Sequence, residues 1–507
     1  MRPIRSVFAA IAASAAVVLS GLPASALERL VLRMPSLGVD FTINLGDGRS
    51  VEEVIQSSSD LVDLDRASEG RLLALLKTVF LSPLPVELRG LLEGSTGQPL
   101  LEQALNAAAF IVNLEGVPFD SSGSMLTKAL RRAYDNDQNN LLGFLHQLPG
   151  EEASIDLSKL AEAVNRLVAN QNDGLELVQT GSAAPVSSEF FESLGAGTSG
   201  REIIRVSVQH RNEPLRVLVV KPQGAGNQRL VVISHGLWDD PESFEAWAEV
   251  LAAHGYVVLL PDHPGSNFQQ QRAMLAGDRP PPGPEELRLR PLDVSALLNA
   301  VENGRVLADR NLNTDAVAVV GHSWGATTSL QLGGGTPTDQ KLKARCSDPR
   351  DPERNISWVL QCSWLSGINK AGIADPRVKT VVAVSPPMRL LFDPVRSLDR
   401  VDASRSSRPK VLLISGTRDW IVPSGPEAVS PMRDTQAARL GHRLVLVDGG
   451  THFNLRAVRG QAPKAVIGPV VLAWINQQMN VTSSSFTFDA GRWGHPDRRL
   501  VDVSGQL

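Results

Sequence analysis

Residues 315–326 read Asp-Ala-Val-Ala-Val-Val-Gly-His-Ser-Trp-Gly-Ala. A short β-branched run enters Gly321-His322-Ser323-Trp324-Gly325, and a helix-compatible segment, Ala326 to Leu332, follows it. Strand, sharp turn and helix are the setting in which G-x-S-x-G carries chemistry, because the strained turn holds a serine hydroxyl clear of its neighbours. The flanking glycines permit the close backbone packing that such a turn needs. The new helix aims free N–H groups and its positive end at the place where an oxyanion would form. Ser323 is the candidate nucleophile.

Outward from this turn, the chain from about Phe190 alternates strands with helix-length segments. Strand candidates are Ile203–Val208, Leu215–Lys221, Leu230–Ser234, Tyr256–Pro261, Ala316–Val320, Lys379–Ser385, Lys410–Ser415 and Arg443–Val447. The first two are joined by a polar turn and read as a hairpin; the rest predict a mostly parallel sheet covered on both faces. Two excursions interrupt the pattern. Ser266 to Pro291 is rich in Gln, Pro and Arg, and Gly333 to Asp375 holds a Gly-Gly-Gly run, both cysteines, Trp358 and Trp364. Long insertions at the carboxyl ends of strands form lids or pocket walls. A tail from residue 480 is rich in Ser, Arg and Asp and reads as an extended surface arm.

The stretch 27–172 is different. Apolar residues recur at helical spacing, as in Leu157-Leu160-Ala161-Val164-Leu167, and no acid–base cluster, Gly-rich cradle or metal spacing appears. It reads as a mainly helical amino-terminal domain of support, with Leu30–Arg33 as an alternative short strand. A polar stretch at 173–189 is the expected linker, and 190–479 the catalytic domain with its insertion at 333–375.

A serine hydroxyl needs a base to take its proton as it attacks. In a parallel sheet the chemistry lies beyond the carboxyl ends of the strands, and this selects among nine histidines. His452 follows the last strand on a Gly-rich loop, Asp448-Gly449-Gly450-Thr451-His452, and is the candidate general base. His322 is expected to point away across the turn. The base needs a carboxylate to fix its tautomer, and Asp419, past the strand Lys410–Ser415, is the candidate, with Asp448 as rival. Two donors must face the developing oxyanion: the backbone N–H of Trp324, and that of Leu237 in Ser234-His235-Gly236-Leu237-Trp238. Trp238, His263, Trp364 and Trp420 are candidate substrate-contacting residues.

Bulk composition narrows the field. The 507 residues carry 50 Lys and Arg against 54 Asp and Glu, a net charge of −4, which argues against a nucleic-acid partner. Arg2 and Arg5, an apolar run to Leu22 and Ala24-Ser25-Ala26 form a signal peptide over 1–26 and predict a periplasmic or secreted protein. Later segments fall short of about 18 uninterrupted apolar residues, so no transmembrane segment is expected. In an oxidising compartment the only two cysteines, Cys346 and Cys362, are expected to pair. No metal site and no cofactor are expected.

These motifs resemble the α/β-hydrolase superfamily, in particular exported bacterial dienelactone-hydrolase-like proteins and the platelet-activating-factor acetylhydrolases. The pieces that carry the resemblance are Ser234-His235-Gly236-Leu237, Asp262-His263-Pro264-Gly265-Ser266-Asn267, Arg290-Pro291-Leu292-Asp293, Gly321-His322-Ser323-Trp324-Gly325, Leu360-Gln361-Cys362 and Gly450-Thr451-His452-Phe453. Eight strands with the serine after the fifth also suit the α/β-hydrolase fold. The resemblance implies Ser323, Asp419 and His452 as a triad, Leu237 and Trp324 as oxyanion donors, and cofactor-free hydrolysis of a small-molecule or lipid ester. Two departures stand out: dienelactone hydrolases use a cysteine nucleophile, and the acetylhydrolases carry their acid after the sixth strand, where this chain has Ser385-Pro386-Pro387. Alternatives left open are a thioesterase or amidase with the same triad, and an envelope binding module whose hydrolase core is secondary.

Overall fold

The computed structural model describes residues 27–45, 50–195, 200–392, 409–481 and 484–507; the expected signal peptide lies outside them. The chain divides into two compact units, one containing residues up to Asn165 together with Gln271–Gly283, the other Arg166–Gln270 and Pro284–Leu507.

The first unit has more strand than its helical spacing suggests. Strands β1 (Arg29–Met34), β2 (Val39–Asn44), β3 (Val112–Leu114) and β4 (Glu152–Asp156) form a sheet in the order β2-β1-β4-β3. The alternative reading of Leu30–Arg33 as a strand thus falls inside β1, parallel to β4 and antiparallel to β2. These strands are short and mostly half-buried, so they leave little alternation in the sequence. Leu27, Ile43, Val54, Phe80, Leu126 and Ala153 share one core beneath the helices. The middle of the first excursion packs here too: a Cβ on Gly90 would lie 2.8 Å from the Ala276 backbone.

A 24-residue helix, Leu157–Thr180, runs through the start of the expected linker. Gly174 reads as a breaker in the sequence, but its missing side chain serves close approach: a Cβ would come 2.2 Å from Ser424 Oγ.

The second unit is built on a nine-stranded sheet. Its strands are β5 (Gly200–Val206), β6 (Leu215–Lys221), β7 (Arg229–Ser234), β8 (Val257–Pro261), β9 (Asn313–His322), β10 (Val378–Val384), β11 (Lys410–Gly416), β12 (Arg443–Val447) and β13 (Leu500–Asp502), in the order β13-β12-β11-β10-β9-β7-β8-β6-β5. From β8 to β12 neighbours are parallel; β5, β6 and β13 are antiparallel to their partners. Alternate residues Val231, Ile233, Ala318, Val320, Val382 and Val384 pack against helices Glu245–Ala253 and Gly468–Gln478. The intervening Val232, Val317, Val319, Val381 and Ala383 are buried as well, so both faces are covered. That explains why these strands read as unbroken apolar runs.

The ninth strand corrects the reading of the tail. Leu500 and Val501 are fully buried against β12, and Trp493 stacks on Phe488 with centroids 4.9 Å apart inside the same core as Trp474. Its Ser, Arg and Asp content hides a few well-placed apolar residues.

The excursion 333–375 is a packed wall. Cys346 and Cys362 form the expected disulfide, and Trp358 and Trp364 are buried. The buried Glu427 carboxylate accepts hydrogen bonds from Asn355 Nδ2, Gln361 Nε2, and the Met388 and Arg389 amides, at 2.8–2.9 Å. One side chain thereby ties the wall to the segment after β10.

Candidate active site

Ser323 stands between β9 and the helix Trp324–Leu332 with φ 54° and ψ −123°. Such a backbone costs a non-glycine residue about 1–3 kcal/mol and persists only where its surroundings impose it. Here both ends are held: the Ser323 N–H donates to the Val384 carbonyl of β10 at 2.9 Å, and the Ser323 carbonyl accepts from Ala326 N–H at 2.9 Å. The glycines of the motif are required by close approach. A Cβ on Gly321 would fall 2.0 Å from the Gly325 carbonyl, and one on Gly325 would fall 2.0 Å from the Ser234 carbonyl.

The carboxyl ends of β11 and β12 meet beside this turn. Asp419, fully buried, accepts the amides of Ile421 and Val422 on Oδ1 at 3.0 and 2.8 Å. Its Oδ2 lies 2.9 Å from His452 Nδ1. The loops that bear the two residues are themselves joined, the Arg418 N–H donating to the Gly450 carbonyl at 2.8 Å. The rival acid, Asp448, points elsewhere, half exposed and 3.7 Å from Arg499. Oδ1 occupied by two amides leaves Oδ2 for the imidazole, which fixes the proton on Nδ1 and leaves Nε2 as the basic nitrogen.

His322 departs from expectation. Its ring does not turn away from the site: Nε2–H donates to the His452 carbonyl at 2.9 Å, and the two rings are 4.7 Å apart. Burial and the neighbouring His452 hold the His322 imidazole well below the usual histidine range, so it is a neutral donor. The residue before the serine thus anchors the backbone of the histidine. Among the described residues no hydrogen bond joins Ser323 Oγ to His452 Nε2; such contacts tighten when substrate binds.

On the other side of Ser323 lies the loop after β7. A Cβ on Gly236 would sit 3.2 Å from Ser323 Cβ, a tight approach that glycine meets without any shift of its neighbours. His235 Nδ1–H donates to the Gly236 carbonyl at 2.7 Å while its Nε2 accepts the His263 N–H at 3.0 Å. The Gly236–Leu237 peptide is trans, so the Leu237 N–H points opposite to that carbonyl, away from the His235 ring. Trp324 opens its helix, and its N–H is one of the first-turn donors with no intrahelical acceptor.

The candidate substrate residues divide. Trp420 is 43% exposed beside Asp419, and Trp238 is partly exposed with its Nε1 on Gln270 Oε1 at 2.9 Å. His263 and Trp364, however, are fully buried and present no surface to a ligand. Trp364 lies against the Trp324 ring, centroids 5.5 Å apart. His263 Nδ1–H donates to Asp293 Oδ2 at 2.8 Å, and its pKa falls to about 4 through burial and the Arg290 charge. Phe453, 56% exposed next to His452, is a rim residue the sequence reading left unused.

Three further residues were missed as parts of the site. Asp293 accepts His210 Nε2–H at 2.7 Å, His263, and Arg211, which also bonds Glu286. Burial opposes its ionisation, but these bonds outweigh it and keep the carboxyl well below the ordinary range. Arg290 and Asp293 were visible as a motif, while their place, on a helix Glu286–Glu302 that runs through Pro291, was not. For His322 the sequence held no signal beyond adjacency.

Residues 230–468 match the alpha/beta hydrolase family. The matched stretch opens in β7 and includes Ser323, Asp419 and His452, and the general class it supports is a hydrolase. No curated protein matches the chain. Among the described residues no cluster of His, Cys, Asp and Glu could hold a metal ion, and no helix is long and apolar enough to cross a membrane.

Proposed function

We propose that the protein is an exported serine hydrolase that cleaves carboxylic esters through an acyl-enzyme intermediate. The observation that carries this reading is Ser323 on its strained turn with an Asp419–His452 pair, bonded at 2.9 Å, on the adjoining loops. His452 Nε2 takes the hydroxyl proton as Ser323 Oγ bonds to the ester carbonyl carbon. The oxyanion is met by the N–H groups of Leu237 and Trp324, an interaction stronger in the transition state than in the ground state. Collapse breaks the carbon–oxygen bond to the alcohol, which leaves with the proton from His452. Water, deprotonated by the same histidine, then attacks the acyl carbonyl and frees the acid. No cofactor takes part. Trp420, Phe453 and Trp238 follow Asp419, His452 and Leu237 in sequence and expose apolar surface, which favours substrates with an apolar group. The leader-like sequence of residues 1–26 and the Cys346–Cys362 disulfide suit an oxidising compartment outside the cytoplasm.

Purified protein should release p-nitrophenol from acyl esters and be labelled at Ser323 by a fluorophosphonate. Parallel ester, thioester and amide series, each over several acyl lengths, choose the leaving group. Turnover that survives in Ser323→Ala rejects the reading.

A further inference from the structure

Arg290 is fully buried on the helix Glu286–Glu302, yet among the described residues its guanidinium bonds no carboxylate directly. Nη1 donates to Ser266 Oγ at 2.9 Å, and Nη2 donates to the His235 carbonyl. Burial lowers its pKa to about 9, against the pull of Glu286 and Asp293. Both of those carboxylates are already engaged by Arg211. A cation held this way is costly, and a long apolar side chain would fill the space without that cost. Its contacts identify what it does instead.

The two neutral acceptors flank a single peptide. His235 precedes Leu237 by two residues, and Ser266, through its own carbonyl, takes the N–H of Trp238 at 2.7 Å. Trp238, the residue after Leu237, has φ 56°, a conformation that has to be imposed. Arg290 therefore reaches both flanks of Leu237, one directly and the other through Ser266. The same guanidinium also lies over the Trp324 indole, 5.3 Å from the ring centroid. Leu237 and Trp324 are the two residues whose amides would receive the oxyanion.

We infer that Arg290 is a positioning residue that fixes the two oxyanion donors relative to each other. It ties the loop after β7 and the first residue of the nucleophile helix to one rigid, forked group. His235 supplies the second restraint by holding the Gly236 carbonyl. The Arg211–Asp293–Glu286 cluster satisfies the neighbouring carboxylates, so that Arg290 keeps its fork for the two loops. The ammonium of a lysine could reach only one of the two acceptors at a time and cannot stack on an indole as a plane.

This inference rests on the proposed serine-hydrolase reading, and the experiment separates the two. Arg290→Lys, Arg290→Met and the milder Ser266→Ala are compared with wild type for kcat, KM and the rate of fluorophosphonate labelling, after circular dichroism and thermal unfolding have established folding. Loss of alignment should lower kcat about 10- to 100-fold in Arg290→Met, less than the roughly 100- to 1,000-fold found when one oxyanion donor is removed outright, with KM changed less than threefold. Labelling should slow in parallel, because phosphonylation uses the same donors. Arg290→Lys should fall between, and Ser266→Ala should lose least. Folded Arg290 variants with kcat and labelling within twofold of wild type overturn the inference, as does a loss confined to KM. If Arg290→Met does not fold, the Arg290→Lys and Ser266→Ala pair decides by the same criteria. Wild-type protein that neither turns over esters nor labels at Ser323 rejects the functional reading itself.

Discussion

The two units bury different things. Among the described residues the buried polar side chains of the first unit are Ser58, Ser95, Thr127 and Ser154, all neutral. Its charged groups pair at the surface, as Arg33 does with Glu152 at 2.6 Å. The second unit encloses Asp293, Arg290, Glu286, Asp419 and Glu427, together with His235, His263 and His322. Taking a charge out of water is expensive, so it persists where a fold needs a group in one place and one protonation state. In the first unit the buried side chains are apolar or neutral; in the second, ion pairs and oriented hydrogen bonds hold the buried charges in place.

The sharpest way to break this contrast is at the centre of the buried network. Ser323→Ala should reduce ester turnover by about 10⁴-fold or more with little change in thermal unfolding. Asp419→Asn should give a loss of about 10⁴ in kcat, since an amide cannot impose the same tautomer on His452. Retained turnover in either variant would dissolve the functional half of the comparison.

A structural buried carboxylate should cost stability instead. Glu427→Ala strands four donors at once, and about 3–5 kcal/mol of unfolding free energy is the expected loss, read by urea titration. A loss below 1 kcal/mol would mean that the wall 333–375 is held by its other contacts.

Acid should also tell the units apart. Above pH 6.5 His263 is neutral whether the chain is folded or not. Between 6.5 and about 4 the unfolded imidazole binds a proton that the folded one refuses. Stability therefore falls as the pH is lowered through that window, with His235 and His322, also held low by burial, adding to the effect. Asp293 extends the loss to lower pH, because its depressed pKa contributes stability only while it is ionised. A thermal midpoint of the second unit that stays flat from pH 7 to 4.5 contradicts this. The smallest effect belongs to the first unit: Leu75→Ser, at a position 59% exposed, should change stability by no more than about 0.5 kcal/mol.

What could be read in advance follows the same division. Each strand from β6 to β12 has its counterpart among the apolar runs, because a sheet covered on both faces writes itself as β-branched stretches between glycines and helices. The turn that carries Ser323 was legible because Gly321 and Gly325 are demanded by sub-3 Å approaches, and the positions of Asp419 and His452 because the sheet exposes only its strand ends. Half-buried strands such as β1 carry no such pattern, and the three-residue β13 is too short to stand out from its polar surroundings. Contacts between distant segments were out of reach as well. Nothing local says that Arg290 touches the His235 carbonyl, or that His322 holds the His452 carbonyl.

The twisted backbone at Ser323 has one more consequence. With φ at 54°, the position suits glycine far better than any residue with a side chain, so the protein forgoes resilience to place a hydroxyl there. Ser323→Gly should accordingly outlast Ser323→Ala in a heat challenge, although both are inert. At this one residue the hydroxyl and the most stable backbone make opposite demands.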